Sequence, residues 1–362
     1  MTTQELPGLN EILTRTVKMG GSDLHLTAGL PPVVRVHGEL RRMDLPRLSP
    51  ADIEALLAPA LDPYHREQLD ADWELDFSYS IPGVSRYRVN VMKQRGSLAV
   101  AFRVVPIGIP SFDSLGLPPI VKEFARLPRG LVLVTGPTGA GKSTTLASII
   151  GLINEERSVN IVTIEHPIEF LYTHKKAMIK QREVGSDTKS FAEALRRVLR
   201  HDPDVLLIGE MRDLESISIA LTAAETGHLV FSTLHTQTAP LTIHRIVDVF
   251  PDRLRNQVSQ QLADSLQGII AQQLLPRADG EGRVAAVEVL VSTPAVRNLI
   301  RENKEHQLYT VMQTGRAFGM QTMDQALAEL CLSGIVTKEV VLSRCVDRVE
   351  IERMLKKGSR NG

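Results

Sequence analysis

Residues Gly136, Pro137, Thr138, Gly139, Ala140, Gly141, Lys142, Ser143 and Thr144 follow one another as G-P-T-G-A-G-K-S-T. A glycine, four residues and then Gly-Lys-Ser is the spacing of a phosphate-binding loop. The glycines let the backbone curl tightly, so that its N–H groups converge on phosphate oxygens. Lys142 can reach the β- and γ-phosphates, and the Ser143 hydroxyl can take a coordination site on Mg²⁺. The chemistry implied is binding of a nucleoside triphosphate, with ATP and Mg²⁺ as the expected ligands.

Hydrolysis asks for more than the loop. Something must complete the Mg²⁺ shell, and something must orient water. In DVLLIGEMRD, Glu210 follows the apolar run Val205–Ile208 and the small Gly209, which places an acid at a strand end. In NIVTIEHPIEF, Glu165 ends the run 161–164 just before His166 and Pro167. Glu165 has a second reading, as a surface carboxylate in a turn, because Pro167 forces an extended residue before it. In TGHLVFSTLHTQ, His228 and His235 flank a strand. Ligands bind at the carboxyl ends of such strands, so His235 is expected near the γ-phosphate and His228 at the far end. Either histidine can be structural or can take part in proton transfer.

These groups need strands and helices to hold them. The run 131–135 is apolar and β-rich, and reads as a buried strand feeding the loop. The helix after the loop turns its positive end toward the anion. From Arg129 onward the pattern is strand, helix, strand, the mark of a parallel sheet covered by helices; this core is expected over 129–292. Residues 1–105 mix helical and strand-like segments (PPVVRVHGEL, SRYRVNVM, LAVAFRVV, and ADIEALLAPAL after the capping Ser49 and Pro50), as in a small α+β domain. PIGIPSFDSLGLPP, within 106–128, reads as a linker. Residues 293–362 read as mostly helical, with GSRNG as a disordered tail. In TPAVRNLIRE, Thr293 can cap a helix and Pro294 fits its first turn. Val296, Leu299 and Ile300 then share one face, and Arg297 and Arg301 lie at i, i+4 on another.

Composition narrows the class. With 362 residues, 43% of them hydrophobic, the chain can bury the cores of two domains. Lys+Arg and Asp+Glu are both 42, so it lacks the basic footprint of a nucleic-acid binder, and no nucleic-acid partner is expected. The N-terminal MTTQELPGLNEILTR has no signal-peptide pattern, and no apolar run approaches the roughly 18 residues of a membrane span. Two cysteines, Cys331 and Cys345, make neither a disulfide scaffold nor a four-cysteine zinc site. A soluble cytoplasmic protein is expected.

Taken in order, GPTGAGKST, TIEHPIEF, QREVG, ALRRVLRHDPDVLLIGEMRD, TAAETGHLVFSTLHT and TPAVRNLIRE resemble the motifs of the type IV pilus retraction ATPases, also called twitching motility proteins, of the secretion-ATPase superfamily. SDLHLTAGLPPVVRVHGEL extends the resemblance toward the N-terminus. The resemblance implies a PAS-like N-terminal domain, a RecA-like ATPase domain and a ring-shaped homo-hexamer. It makes Lys142 and Ser143 the Walker A residues, Glu165 the acid of the Asp box, Glu210 the atypical Walker B glutamate that supports Mg²⁺, and His228 and His235 the His box, with His228 counted among the nucleotide-binding residues. Arg88 of RYRVN and Arg103 of AFRVV resemble the N-terminal arginines that stabilise γ-phosphate charge in this superfamily. The family pattern reads T-I-E-D-P, whereas this chain carries His166 in place of the aspartate.

The function so implied is conversion of ATP hydrolysis into force. Closure of the N-terminal domain around a ring would turn an inner-membrane platform protein and draw pilin out of the fibre, beside a paralogous retraction ATPase. The expected location is cytoplasmic, peripheral to the inner membrane at the pilus base. A pilus-assembly or type II secretion ATPase usually has a longer N-terminal region and a four-cysteine segment. An accessory paralogue of the main retraction motor is the alternative within the same class, and a RecA-like DNA motor predicts a basic channel.

Overall fold

The computed structural model describes residues 6–105, 108–211 and 213–358. Contacts divide the chain into two units. One is Met1–Gly108 together with Pro167–Leu171, and the other is Ile109–His166 together with Tyr172–Gly362.

In the first unit, β1 (Gly21–Thr27), β2 (Val33–Val36), β3 (Glu39–Arg42), β4 (Glu74–Ile81), β5 (Ser85–Gln94) and β6 (Ser97–Val104) form one antiparallel sheet in the order β3-β2-β1-β6-β5-β4. The segment PPVVRVHGEL is two strands, not one. His37 and Gly38 turn with φ of 50° and 85°, the left-handed pair that suits a two-residue hairpin. On β5 the period-two pattern buries Tyr87, Val89 and Val91. They pack with Ile12 and Leu13 of the helix Leu9–Lys18 and with Ile53 and Leu57 of the helix Pro50–Leu57. Ser49 and Asp52 start that last helix with a reciprocal capping box, and Pro50 occupies its first turn.

In the second unit, β7 (Gly130–Thr135), β8 (Asn160–Glu165), β9 (Met178–Glu183), β10 (Val205–Ile208), β11 (Leu229–Leu234), β12 (Leu266–Pro276) and β13 (Arg283–Val291) form a sheet ordered β13-β12-β7-β11-β10-β8-β9. Every neighbouring pair is parallel except β12 and β13, which make an antiparallel edge. β7, β10 and β11 are buried along their whole length, as continuous apolar runs covered on both faces must be. Leu131, Leu133, Val162 and Leu206 face one core; Val132, Val134, Ile161 and Phe231 face the other. This is the doubly covered α/β architecture expected of a RecA-like domain.

One expectation needs correction. Pro106 and Ile107 of the expected linker lie outside the described residues, but most of the rest is folded. It holds a short 3₁₀ turn, Phe112–Leu115, and a helix, Ile120–Arg126. Phe112, Leu117, Val121 and Phe124 are buried in the second unit. The prolines and glycines obscured an apolar spacing that needed this core to become visible. The C-terminal part is mostly helical, and its helices pack on the edge of the sheet. Met323, Leu327, Val341 and Ile351 close over Leu275 and Ala286 of the β12–β13 hairpin. Of the expected disordered tail GSRNG, 358–362, Gly358 ends the helix Arg348–Gly358, and 359–362 lie outside the described residues.

Candidate active site

The phosphate loop leaves β7 at Thr135. Gly136, Gly139 and Gly141 have φ of 141°, 79° and 87°, a region open mainly to glycine. A Cβ on Gly136 would also stand 2.3 Å from the Gln272 carbonyl oxygen. Pro137, Thr138 and Gly139 are exposed, Ala140 is buried and Thr144 is half-buried. The helix Lys142–Glu156 begins behind Gly141 with no side-chain cap, which leaves its first N–H groups free to meet an anion. The Ser143 hydroxyl is exposed at that helix start. Such a cradle fits phosphate, and an exposed hydroxyl beside it fits a hard cation.

Lys142 is almost wholly buried. Its ammonium donates to the Gly136 oxygen at 2.8 Å and the Pro137 oxygen at 3.1 Å. His235 Nδ1 stands 3.4 Å away, and His235 Nε2 lies 3.2 Å from Glu210 Oε1. Burial lowers the Lys142 pKa from its ordinary value, and the Glu210 carboxylate works against that. A lysine has three protons to place. Two go to loop carbonyls, and the third fits Nδ1 of an imidazole whose Nε2 proton faces Glu210. A cavity of about 310 Å³ opens beside Glu210 and His235, with Met211, Thr236 and Arg245 on its walls.

The sheet order explains why these residues meet. β7, β11, β10 and β8 are neighbours, and their carboxyl ends deliver in turn the phosphate loop, His235, Glu210 and Glu165. Gly209 allows β10 close to β8, since a Cβ there would stand 3.3 Å from the Glu165 Cα. Glu165 is buried, and its Oε1 accepts from Thr163 Oγ1 at 2.7 Å and Gln181 Nε2 at 3.3 Å. Burial on a sheet strand removes its reading as a surface carboxylate in a turn. His166 next to it is exposed.

The remaining expected residues sit on other elements. His228 precedes β11 while His235 follows it, so a six-residue strand separates them, roughly 20 Å at the usual rise. His228 Nδ1 lies 2.9 Å from the Ala223 oxygen, and the His228 carbonyl accepts from Gly130 at the start of β7. Within the subunit His228 therefore stands at the opposite end of the sheet from the phosphate loop, the far end read from its place before the strand, and away from the loop where the resemblance counts it as nucleotide-binding. Arg88 and Arg103 face each other across β5 and β6. Arg88 pairs with Glu169 at 2.5 Å and Arg103 with Asp23 at 2.8 Å.

Sequence reasoning missed Gln272 of β12. It is buried, accepts from Thr145 Oγ1 at 2.9 Å and donates to the Ala140 oxygen at 2.5 Å. It thus braces the back of the loop. The available signal was a glutamine inside the apolar run GIIAQQLL. Thr233 was missed too: its hydroxyl donates to the Gly209 oxygen at 2.6 Å and fixes the turn that presents Glu210.

Comparison with known proteins adds a second line. Residues 85–343 match the family described as type II/IV secretion system protein. The chain is 49% identical over 331 residues to a protein of Pseudomonas aeruginosa named type IV pilus retractation ATPase PilT, covering 91% of this chain and 96% of that one. It is 50% identical over 313 residues to a twitching motility protein of Neisseria gonorrhoeae, covering 86% and 84%. Among solved structures, the pilus retraction motor PilT with bound ADP superposes with a TM-score of 0.89 at 52% identity, over 96% of this chain and all of that one.

Proposed function

Because this chain belongs to the type II/IV secretion system protein family, we propose that it is an ATP-hydrolysing motor powering type IV pilus retraction. The observation that carries the hydrolytic half is the run Lys142–His235–Glu210 at the mouth of the phosphate loop. The pilus half rests on similarity to retraction proteins across about nine-tenths of the chain.

In this reading the loop N–H groups and Lys142 hold the β- and γ-phosphates. A Mg²⁺ ion held by the Ser143 hydroxyl and, through water, by Glu210 would withdraw charge from them. His235 keeps Glu210 and Lys142 in register and senses the γ-phosphate, because loss of that phosphate changes what Lys142 must neutralise. Glu165 orients or deprotonates the attacking water. Arg88 and Arg103 stabilise charge on the γ-phosphate, as superfamily arginines do. In a hexameric ring His228 and the arginines would serve a site completed by a neighbouring protomer. Among the described residues no helix is long and apolar enough to cross a membrane, which suits a motor that acts on an inner-membrane platform protein from the cytoplasmic side, beside a paralogous ATPase.

The test is genetic and chemical together. Deleting the gene should leave cells with excess surface pili that do not twitch, and Lys142→Ala should fail to restore retraction. Bald cells would instead make the protein an assembly motor. DNA-stimulated turnover by the purified chain would point to a nucleic-acid motor.

A further inference from the structure

Glu288 of β13 is a carboxylate that the proposed chemistry does not use, and it is 1% exposed. Its two oxygens go to two different helices. Oε1 accepts the N–H of Ala239 at 2.7 Å, and Oε2 accepts the N–H of Met323 at 3.2 Å. Each donor is the first residue of its helix, Ala239–Asp248 and Met323–Leu332. At both helix starts the cap hydroxyl, Thr238 or Thr322, already serves an N–H further in. Glu288 therefore meets donors that the caps leave over, where the helix dipole favours an anion.

The two helices differ in what they lead to. Ala239 is four residues past His235, and the tether between them is fixed by Thr236, whose hydroxyl lies 2.6 Å from that of Thr242. Met323 opens a helix of the C-terminal cluster. Its neighbour Asp324, buried and facing Glu288, accepts N–H groups of Val346 and Asp347 at 2.7 and 2.8 Å, just ahead of the last helix. One carboxylate thus stands between the His235 tether and the C-terminal helices.

We propose that Glu288 is a positioning residue that sets His235 against Lys142 and Glu210 by anchoring Ala239, and that it links this setting to the C-terminal helices through Met323. The proposal rests on the ATPase reading above. A shift of either helix start by a fraction of an ångström lengthens a charge-assisted bond, and the short tether passes that shift to the imidazole.

A double-mutant cycle tests it, using purified full chain with ATP and Mg²⁺ and thermal melting as the check on fold. Glu288→Gln keeps size and one acceptor but turns an amide donor toward an N–H donor. It should lower kcat about 10-fold with KM within about twofold, and in a His235→Ala background its further effect should shrink to less than about twofold, because groups acting through one another are not additive. An equal loss in both backgrounds, or none in either, overturns the proposal. If Glu288→Gln folds poorly, Glu288→Asp, which keeps the charge and shortens the reach, supports the same comparison. Failure of the underlying reading shows differently: the wild type would not turn over ATP, or His235→Ala alone would cost nothing.

Discussion

Nε2 of His235 lies 3.2 Å from the carboxylate of Glu210, while its Nδ1 lies 3.4 Å from the ammonium of Lys142. One imidazole therefore separates the cation of the loop from the acid of the neighbouring strand, and it can do so only by presenting an acceptor to one and a donor to the other.

Removing that ring should let the two charges rearrange. His235→Ala is expected to lower ATP turnover by about 10²-fold while the protein stays folded. His235→Gln, which can still donate and accept, should recover part of the loss. Equal activity in the alanine and glutamine variants would remove the bridging role.

The two acids should behave as chemical groups and not as packing. Glu165→Gln keeps the size that fits against Thr163 and Gln181 but deletes the charge. It should cost roughly 10²-fold or more in turnover if Glu165 is the base. Glu210→Gln should do the same and also weaken Mg²⁺ dependence. Near wild-type turnover in Glu165→Gln would reduce that residue to a buried strap between β8 and β9.

Arg297 and Arg301 were expected as a pair of side-by-side charges, and the structure separates their duties. The helix Pro294–Arg301 is capped by Thr293 and buries Val296 and Ile300 as its spacing required. Arg301 is engaged by Asp264 at 2.5 Å, holding that carboxyl below its usual range, while Arg297 donates to Ser292 at 3.2 Å. Arg297→Glu should therefore leave folding and basal ATPase nearly intact yet abolish twitching in cells. Parallel loss of turnover and twitching would place the helix in the catalytic machinery.

Glu288 should leave a signature in stability against pH. Burial, opposed by the two N–H bonds and reinforced by Asp324, raises its pKa to about 7. The folded chain then holds a proton that the unfolded chain has released at about pH 4.3. Stability must fall as pH rises through that window, by on the order of 4 kcal/mol at most, and be flat on either side. Glu288→Gln should remove the slope in denaturant unfolding measured at pH 5 and at pH 7.5. Parallel wild-type and variant curves across the window would show that Glu288 titrates normally.

Local rules made much of this legible before any coordinates. The phosphate loop follows from glycine spacing, because positive φ and close approach demand glycine at Gly136 and Gly141 wherever the loop occurs. The strand ends at Glu165, Glu210 and His235 follow from short apolar runs, because a strand covered on both faces must be apolar throughout. The caps at Ser49 and Thr293 follow because a helix start needs an acceptor within three residues. Each is a constraint between near neighbours in the chain.

What the tertiary structure alone decided is which of these distant residues meet. The order β7-β11-β10-β8 brings Lys142, His235 and Glu210 together. Gln272 reaches the loop only because β12 pairs with β7, and Glu288 acquires two helix starts only because β13 lies beneath both. Such pairings depend on strand order and burial, which bring together residues such as Gln272 and Ala140, 132 positions apart in sequence. No periodicity encodes a partner at that separation, so the residue types could be read from the chain while their contacts waited on the fold.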